Sequence, residues 1–453
     1  MKNFIQTLKN IFKIEDLRIR ILNTLFFLVI YRLGTHIVLP GVDPEKLGEL
    51  QNQTSKGVLG LLDMFSGGAF SHSSIFALGI MPYISASIVV QLLSIAIPYF
   101  QKLQKEGESG RKRINQITRW LTVIITAFQA PGYIVNLRSQ VPGAIISITN
   151  PELVSPFTFW FTSIMILIAG TIFVMWLGEK ITDKGIGNGI SLIIMVGIIA
   201  RLPISLRDEL LSRLNQGGGL VVFLLELVAL AAVVAFVILL VQGTRRIPVN
   251  FAKKIVGNKQ YGGVRQYIPL KVNAAGVMPI IFAQAIMFIP ATIAQFFPES
   301  NASQGVLSTF GNYTSFWYNF TFAVLIILFT YFYTAIAVNP TQMAEDMKRN
   351  NGFIPGVKPG RQTADFIDDV MSRIILPGSI FLALVAIMPT FAILANVNNN
   401  FAHFYGGTSL LILVGVVLDT LQQIESHLLM RHYDGLMKSG RIKGRSTPVA
   451  SAV

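Results

Sequence analysis

Cysteine is absent from the 453 residues, which removes disulfides, thiolate metal sites and cysteine nucleophiles at once. Charge is scarce as well. Only 13% of the residues are Asp, Glu, Lys or Arg, against ~25% in soluble domains. Within that small set the acids are the rarer, 23 against 37 bases, for a net charge of +14. The five histidines, His36, His72, His403, His427 and His432, show no paired ligand spacing, so no metal site is expected. No Walker A run occurs, and GIGNGI at 185–190 has neither the spacing of a dinucleotide fingerprint nor a strand before it. Ser66 and Ser85 lack a G-x-S-x-G setting and an assignable base. The chain reads as a non-enzyme without a cofactor.

What the sequence has in abundance is hydrophobic blocks: 52% of residues are apolar and mean hydropathy is +0.57. A membrane-spanning helix needs ~20 consecutive apolar residues. Blocks of that kind lie roughly at 20–38, 74–98, 117–137, 156–177, 187–203, 219–242, 274–296, 316–338, 374–394 and 408–429. The pattern predicts an all-α polytopic membrane protein of ten spans, and not a barrel of weakly alternating strands. The fifth block is the shortest and begins in the glycine-rich GIGNG. Ahead of the first, Phe4, Ile5, Leu8, Ile11 and Phe12 share one helical face and Lys2, Lys9 and Lys13 the other. An interfacial amphipathic helix over 1–19 is therefore expected. It is not read as a signal peptide, since no small-residue cleavage site follows the apolar run from Ile21 to Ile30.

Lys and Arg crowd into the alternate loops that share a side with the N-terminus, which places both termini in the cytoplasm. Topology thus accounts for most of the basic excess, although anionic lipid or nucleic acid would suit it too. The expected plan is a first half over 20–203, an external connection over 204–218, a second half over 219–429 and a tail over 430–453. Five crossings per half permit an inverted repeat, although the halves show no sequence similarity. Ionisable residues inside spans are functional candidates by default. Only Arg32, Glu226 and Asp419 lie deep, with Glu425 near a helix end. So few carboxylates argue against the alternative of a secondary transporter for a small solute, and favour structural pairs or a wet cavity.

Residues 57–98 stand out. The apolar run Val58 to Phe65 is too short to span, and Gly67 and Gly68 break it before the second span begins. Non-helical backbone at membrane depth is tolerated only where protein buries it or where it lines a cavity. The run is either a half-helix at a pore or an amphipathic surface loop. Two isoleucine pairs at helical spacing, Ile80 with Ile84 and Ile190 with Ile194, are either core packing or an apolar constriction that closes a pore by dewetting. Two loops on the N-terminal side exceed what a turn requires. Residues 243–272 hold seven basic residues and no acid, with β-favouring flanks around GN and GG, as a protruding hairpin has. Residues 339–373 hold the turn PGVKPG and then a short amphipathic helix with Phe366, Ile367 and Val370. Both look built to dock a phosphate backbone or an acidic protein surface.

The stretches MFSGGAFSHSSIFALGIMPYISASIVVQLL, RINQITRW, ITDKGIGNGIS, PLKVNAAGVMP, PGVKPG and GGTSLLILVGVVLD, in this order from residue 64 to 419, together resemble the SecY family of protein-conducting channels. The resemblance implies ten helices in two inverted five-helix halves around a central pore, through which a translocating polypeptide passes. It implies that 59–70 form a re-entrant plug, with Phe65, Ser66, Gly67, Gly68, Ala69 and Phe70 at its centre and the two glycines as a hinge. It carries the pore ring to Ile80, Ile84, Ile190, Ile194, Ile281 and Ile412. A lateral gate would run between the second and third spans and the seventh and eighth, with Gly79, Ser85, Ser87 and Gln91 on the second. Docking of the ribosome and of the SecA motor would fall to Arg245, Arg246, Lys253 and Lys254 in the first loop and to Lys358 and Arg361 in the second. Family members commonly carry arginine where this chain has Lys358, so the planar fork is lost there. Small membrane subunits SecE and SecG are implied, as is a bacterial cytoplasmic membrane.

Overall fold

The computed structural model describes residues 14–48, 58–146, 155–216, 219–251, 254–256, 259–261, 265–296 and 314–438, with positions 305 and 309. The amphipathic stretch expected ahead of the first span lies outside the described residues up to Lys13, as does the tail beyond 438.

Each expected span coincides with a helix. These are α1 Glu15–Gly34, α3 Met81–Ala96, α5 Glu108–Gln140, α6 Pro156–Lys184, α7 Gly189–Gln216, α8 Gly219–Gln242, α9 Met278–Phe296, α10 Phe316–Ala337, α12 Arg361–Leu394 and α14 Gly407–Lys438. Between them lie the half-helix α2 Val58–Phe65 and the shorter helices α4 Pro98–Lys105, α11 Pro340–Arg349 and α13 Asn399–Ala402. Proline marks several starts, where the missing N–H costs nothing: Pro156 opens α6 behind a Ser155 cap, and Pro98 opens α4. Seven of the helices are long and apolar enough to cross a membrane unaided. At 16 residues, α3 reaches only ~24 Å, short of the ~30 Å hydrocarbon layer. The turns before Met81 make up part of the crossing, and α4 then bends away by 97°.

Two boundaries differ from those the sequence predicts. The fifth span does not stop at 203 but continues helical through Pro203 to Gln216, about 42 Å in all, so most of the expected external connection is helix. The amphipathic helix with Phe366, Ile367 and Val370 is not separate either. It is the first part of α12, which runs on through Pro377 and Pro389. Membrane helices accept interior proline because neighbours can satisfy the freed carbonyl.

The packing repeats. In the first half α1 lies against α6 and α7, α3 against α5, α5 against α6, and α6 against α7; in the second, α8 lies against α12 and α14, α9 against α10, α10 against α12, and α12 against α14. The same five neighbour relations thus recur in each half. Because each half crosses five times, the second copy is turned over. The halves meet along two lines: α7 packs on α8 and α14, and α9 packs on α3 and α5.

Close backbone approach explains the glycine-rich start of α7. A Cβ on Gly189 would stand 2.0 Å from the Gly178 carbonyl oxygen of α6, and one on Gly185 would stand 2.4 Å from Thr24 Oγ1 of α1. The freed backbone groups are used: Thr24 Oγ1 accepts from Ile186 N, Gln423 Oε1 from Gly187 N and Thr182 Oγ1 from Gly189 N. GIGNG is a knot that ties α7 to α1, α6 and α14.

The two long loops fold into one unit. Strand β1 Thr244–Phe251 pairs antiparallel with β4 Arg265–Lys271, from Thr244 opposite Lys271 to Asn250 opposite Arg265. Nearer the tip, β2 Lys254–Val256 pairs with β3 Lys259–Tyr261, so the GN of the sequence falls between paired Val256 and Lys259. The second loop adds β5 Gly352–Phe353 to the other edge of β1. Ile247, Val249, Leu270, Met347, Ile354, Ile367 and Met371 make the core of this unit, apart from that of the spans. Replacing Gly189 with valine should force α6 and α7 apart and cost ~1–3 kcal/mol, as overpacking does. A lowered midpoint of detergent or thermal unfolding is the expected measurement.

Candidate functional site

The half-helix α2 does not lie on a surface. From Asp63 to Phe70 every residue is buried, and three spans hold it. From α1, the Tyr31 hydroxyl donates to the Ser66 carbonyl at 3.0 Å and Arg32 Nη1 to the Gly67 carbonyl at 2.6 Å. From α5, the Tyr133 hydroxyl donates to the Phe70 carbonyl at 3.0 Å. From α7, Arg201 forms an ion pair with Asp63 and donates to Ser71 Oγ at 2.9 Å. The Asp63 carboxylate also accepts from Ser71 N at 2.8 Å, and its carbonyl from Gly68 N at 2.8 Å. Ser66, with no catalytic setting, caps the break: its hydroxyl accepts from Phe70 N and donates to the Asp63 carbonyl.

The contact with α7 is nearly backbone on backbone. A Cβ on Gly197 would stand 2.9 Å from the Phe65 carbonyl oxygen and 3.0 Å from Gly67 N. Gly67 and Gly68 have φ of +67° and +94°, a region that side chains disfavour. A Cβ on Gly67 would stand 2.9 Å from Gly197 Cα and 2.8 Å from Arg32 Nη1. This geometry revises the reading of the glycines as a hinge alone. Alanine at both would unseat the segment rather than merely stiffen it.

The isoleucines expected to form a ring belong to, or pack against, the core that receives this segment. Ile80, Ile84, Ile194 and Ile412 are buried in one cluster that also contains Met64 and Phe65, and half-buried Ile190 and Ile281 pack against it. Ile80 precedes α3 directly, and its carbonyl accepts from Ile84 N, so the pair does share a face. Ile190 sits lower against α6, its Cγ1 3.0 Å from where a Cβ on Gly178 would stand. Of the seam residues, Ser85, Ser87 and Gln91 are half-buried on α3, and Gln91 Nε2 donates to Ser87 Oγ at 3.4 Å. Here α9 packs on both α3 and α5.

On the opposite unit Arg245, Arg246, Lys358 and Arg361 are exposed. Lys253 lies outside the described residues, as does the side chain of Lys254. The deep charges sit in three different settings. Arg32 holds the half-helix, Glu226 binds Arg213, and Asp419 lines a cavity of about 280 Å³ with Lys271, Asn273 and Tyr333. Glu425 is exposed.

Two residues of the site escape the reading of the sequence. Asp63 lies in the half-helix and Arg201 near the expected end of the fifth span, and neither stands among its deep ionisable residues. Their signal was a lone carboxylate in VLGLLDMF and a lone cation in LIIMVGIIARLP, each of which calls for a partner in lipid. Among the described residues no cluster of metal-ligating side chains forms.

Comparison with known proteins agrees with this geometry. The family model described as SecY matches residues 74–421. The chain is 43% identical to the protein translocase subunit SecY of Streptomyces coelicolor over 94% of its own length and 98% of the relative's. It is 40% identical to that of Thermotoga maritima over 97% and 99%. Among solved structures it matches a protein-conducting channel at 17% identity and a TM-score of 0.60, covering 90% of this chain and 92% of that one. It also matches Sec61 of the canine ribosome-channel complex at 17% identity and a TM-score of 0.57, with the same coverage. These two support the fold. With a family model matching well over half its residues and relatives near 40% identity along almost its whole length, the chain belongs to the SecY family.

Proposed function

We propose that this chain is the channel subunit of a protein translocase, a passive conduit that carries secretory polypeptides across the membrane and releases hydrophobic segments sideways into lipid. The observation that carries the reading is the seated half-helix: a segment too short to span is buried against three spans, its Met64 and Phe65 in the same apolar core as Ile80, Ile84, Ile194 and Ile412, in a chain whose two halves repeat one packing pattern. Apolar side chains suit a pore that must pass any sequence, because they form no specific hydrogen bonds with it and expel water when nothing passes. The plug comprises 59–70 with Phe65 to Phe70 at its centre. The ring is Ile80, Ile84, Ile190, Ile194, Ile281 and Ile412. The gate is the seam of α3 and α5 with α9 and α10, eased by Ser85, Ser87 and Gln91.

The driving force comes from partners. The exposed Arg245, Arg246, Lys358 and Arg361, with Lys253 and Lys254, offer a basic surface to a ribosome or to the SecA motor. Related Sec61 and Ssh1 channels have been solved on ribosomes. SecE and SecG would complete the membrane complex, in a bacterial cytoplasmic membrane with both termini inside and anionic lipid against the basic face.

Two experiments test this. Photoreactive or cysteine probes at Ile84, Ile194 and Ile412, free of background because the chain lacks cysteine, should crosslink to an arrested secretory chain in membrane vesicles. Absence of crosslinks at all three, with translocation intact, would remove the ring assignment. Separately, Arg201→Gln should make the resting channel leak ions, since it strands the buried Asp63 carboxylate, a loss worth ~3–5 kcal/mol when one partner of a buried pair is removed. The double variant with Asp63→Asn should leak less than Arg201→Gln alone. Equal leaks in the two would detach the ion pair from plug seating.

A further inference from the structure

The covalent link between the halves falls at 217–218, and beside it stands a compact ionic cluster on the other side of the molecule from the docking unit. Glu209 and Arg213 lie four apart near the outer end of α7 and so share a face. Arg213 reaches Glu209 Oε1 at 2.9 Å within its own helix, Glu226 Oε1 of α8 at 2.5 Å, and the Asn396 carbonyl at 2.8 Å, just past the end of α12. Glu209 Oε2 in turn accepts from Asn398 N at 2.8 Å, and the Tyr405 hydroxyl donates to the Glu226 carbonyl at 2.7 Å. Side-chain exposure is 15% for Arg213, 1% for Glu209 and 9% for Glu226.

Each bond that leaves α7 here ends on the second half. A planar guanidinium holds its donors in a fixed fork spread over three nitrogens, so it grips two carboxylates and a carbonyl in set directions, where a lysine offers one compact ammonium on a flexible stem. The grip lies on the line where α7 meets α8 and α14, away from the seam where α9 meets α3 and α5. Two rigid bodies joined at one edge are free to part at the other, by an amount the joined edge sets.

We propose that Arg213, with Glu209 and Glu226, is an ionic clasp on the hinge edge that fixes the angle between the halves, and that it acts as a positioning residue for closure of the distant seam. The proposal rests on the channel function above. Loss of the clasp lets the second half tilt, so the closed seam loses its register and the open arrangement becomes more populated.

Three variants of the full chain in native membrane vesicles test it: Arg213→Gln, Arg213→Lys, and Arg213→Gln combined with Glu209→Gln and Glu226→Gln. Arg213→Gln should raise resting ion conductance severalfold and admit a precursor whose signal segment has been weakened. Arg213→Lys should fall between it and the unaltered chain. The triple variant leaves no buried charge unpaired, so its thermal unfolding should return towards normal while its conductance stays high. Resting conductance in the triple variant equal to that of the unaltered chain would overturn the clasp, reducing Arg213 to a neutraliser of two buried carboxylates. Failure of the channel reading is distinguishable, because then the unaltered chain in the same vesicles would not translocate a normal precursor.

Discussion

A backbone that leaves the helix at membrane depth must find its partners inside the protein, and the segment from Asp63 to Ile80 is where this chain meets that demand. Tyr31, Arg32, Tyr133 and Arg201 reach it from three spans, and Gly197 lets it approach α7 at backbone distance. The first half is arranged around those contacts. The plain consequence is that the seat joins polar and apolar contacts, since Met64 and Phe65 enter the buried apolar core beside Tyr31.

Such a seat resolves a conflict of requirements. A seal made only of hydrocarbon would be tight but hard to reverse, since its whole buried area would have to be exposed on opening. A seal made only of hydrogen bonds would be wet. On the proposed plug reading, most of the hydrogen bonds go to carbonyls of a broken helix, groups that water could take over if the segment left, while apolar side chains around Met64 and Phe65 would supply the dry part.

Much of this was legible in the sequence. Hydrophobic blocks placed all ten spans, since length and apolarity are the strongest signals a membrane helix has. The turn residues of 243–272 and the β-favouring flanks placed the hairpin. The helical limits at Gln216 and Arg361 were not legible, because apolar periodicity ends where the lipid ends while the helix continues as a shaft into water. Nor did the sequence reveal that the two basic loops share one core, because β5 contributes only two residues to the sheet. The ion pair of Asp63 with Arg201 spans 138 positions, and one chain read alone carries no signal for pairing at such separation. The isoleucine spacing was visible, but that four of the six lie buried in the core that also holds Met64 and Phe65 is a matter of packing.

The length of α12 has a mechanical meaning. Its 34 residues make a rod about 51 Å long. At one end Ile367 and Met371 are embedded in the core of the hairpin unit; two residues past the other, the Asn396 carbonyl is held by Arg213. No loop intervenes, although Pro377 and Pro389 give the rod two points of compliance. Torque applied by anything that grips the basic surface therefore passes along a single shaft to the far edge of the molecule, and the two prolines set how much of it arrives.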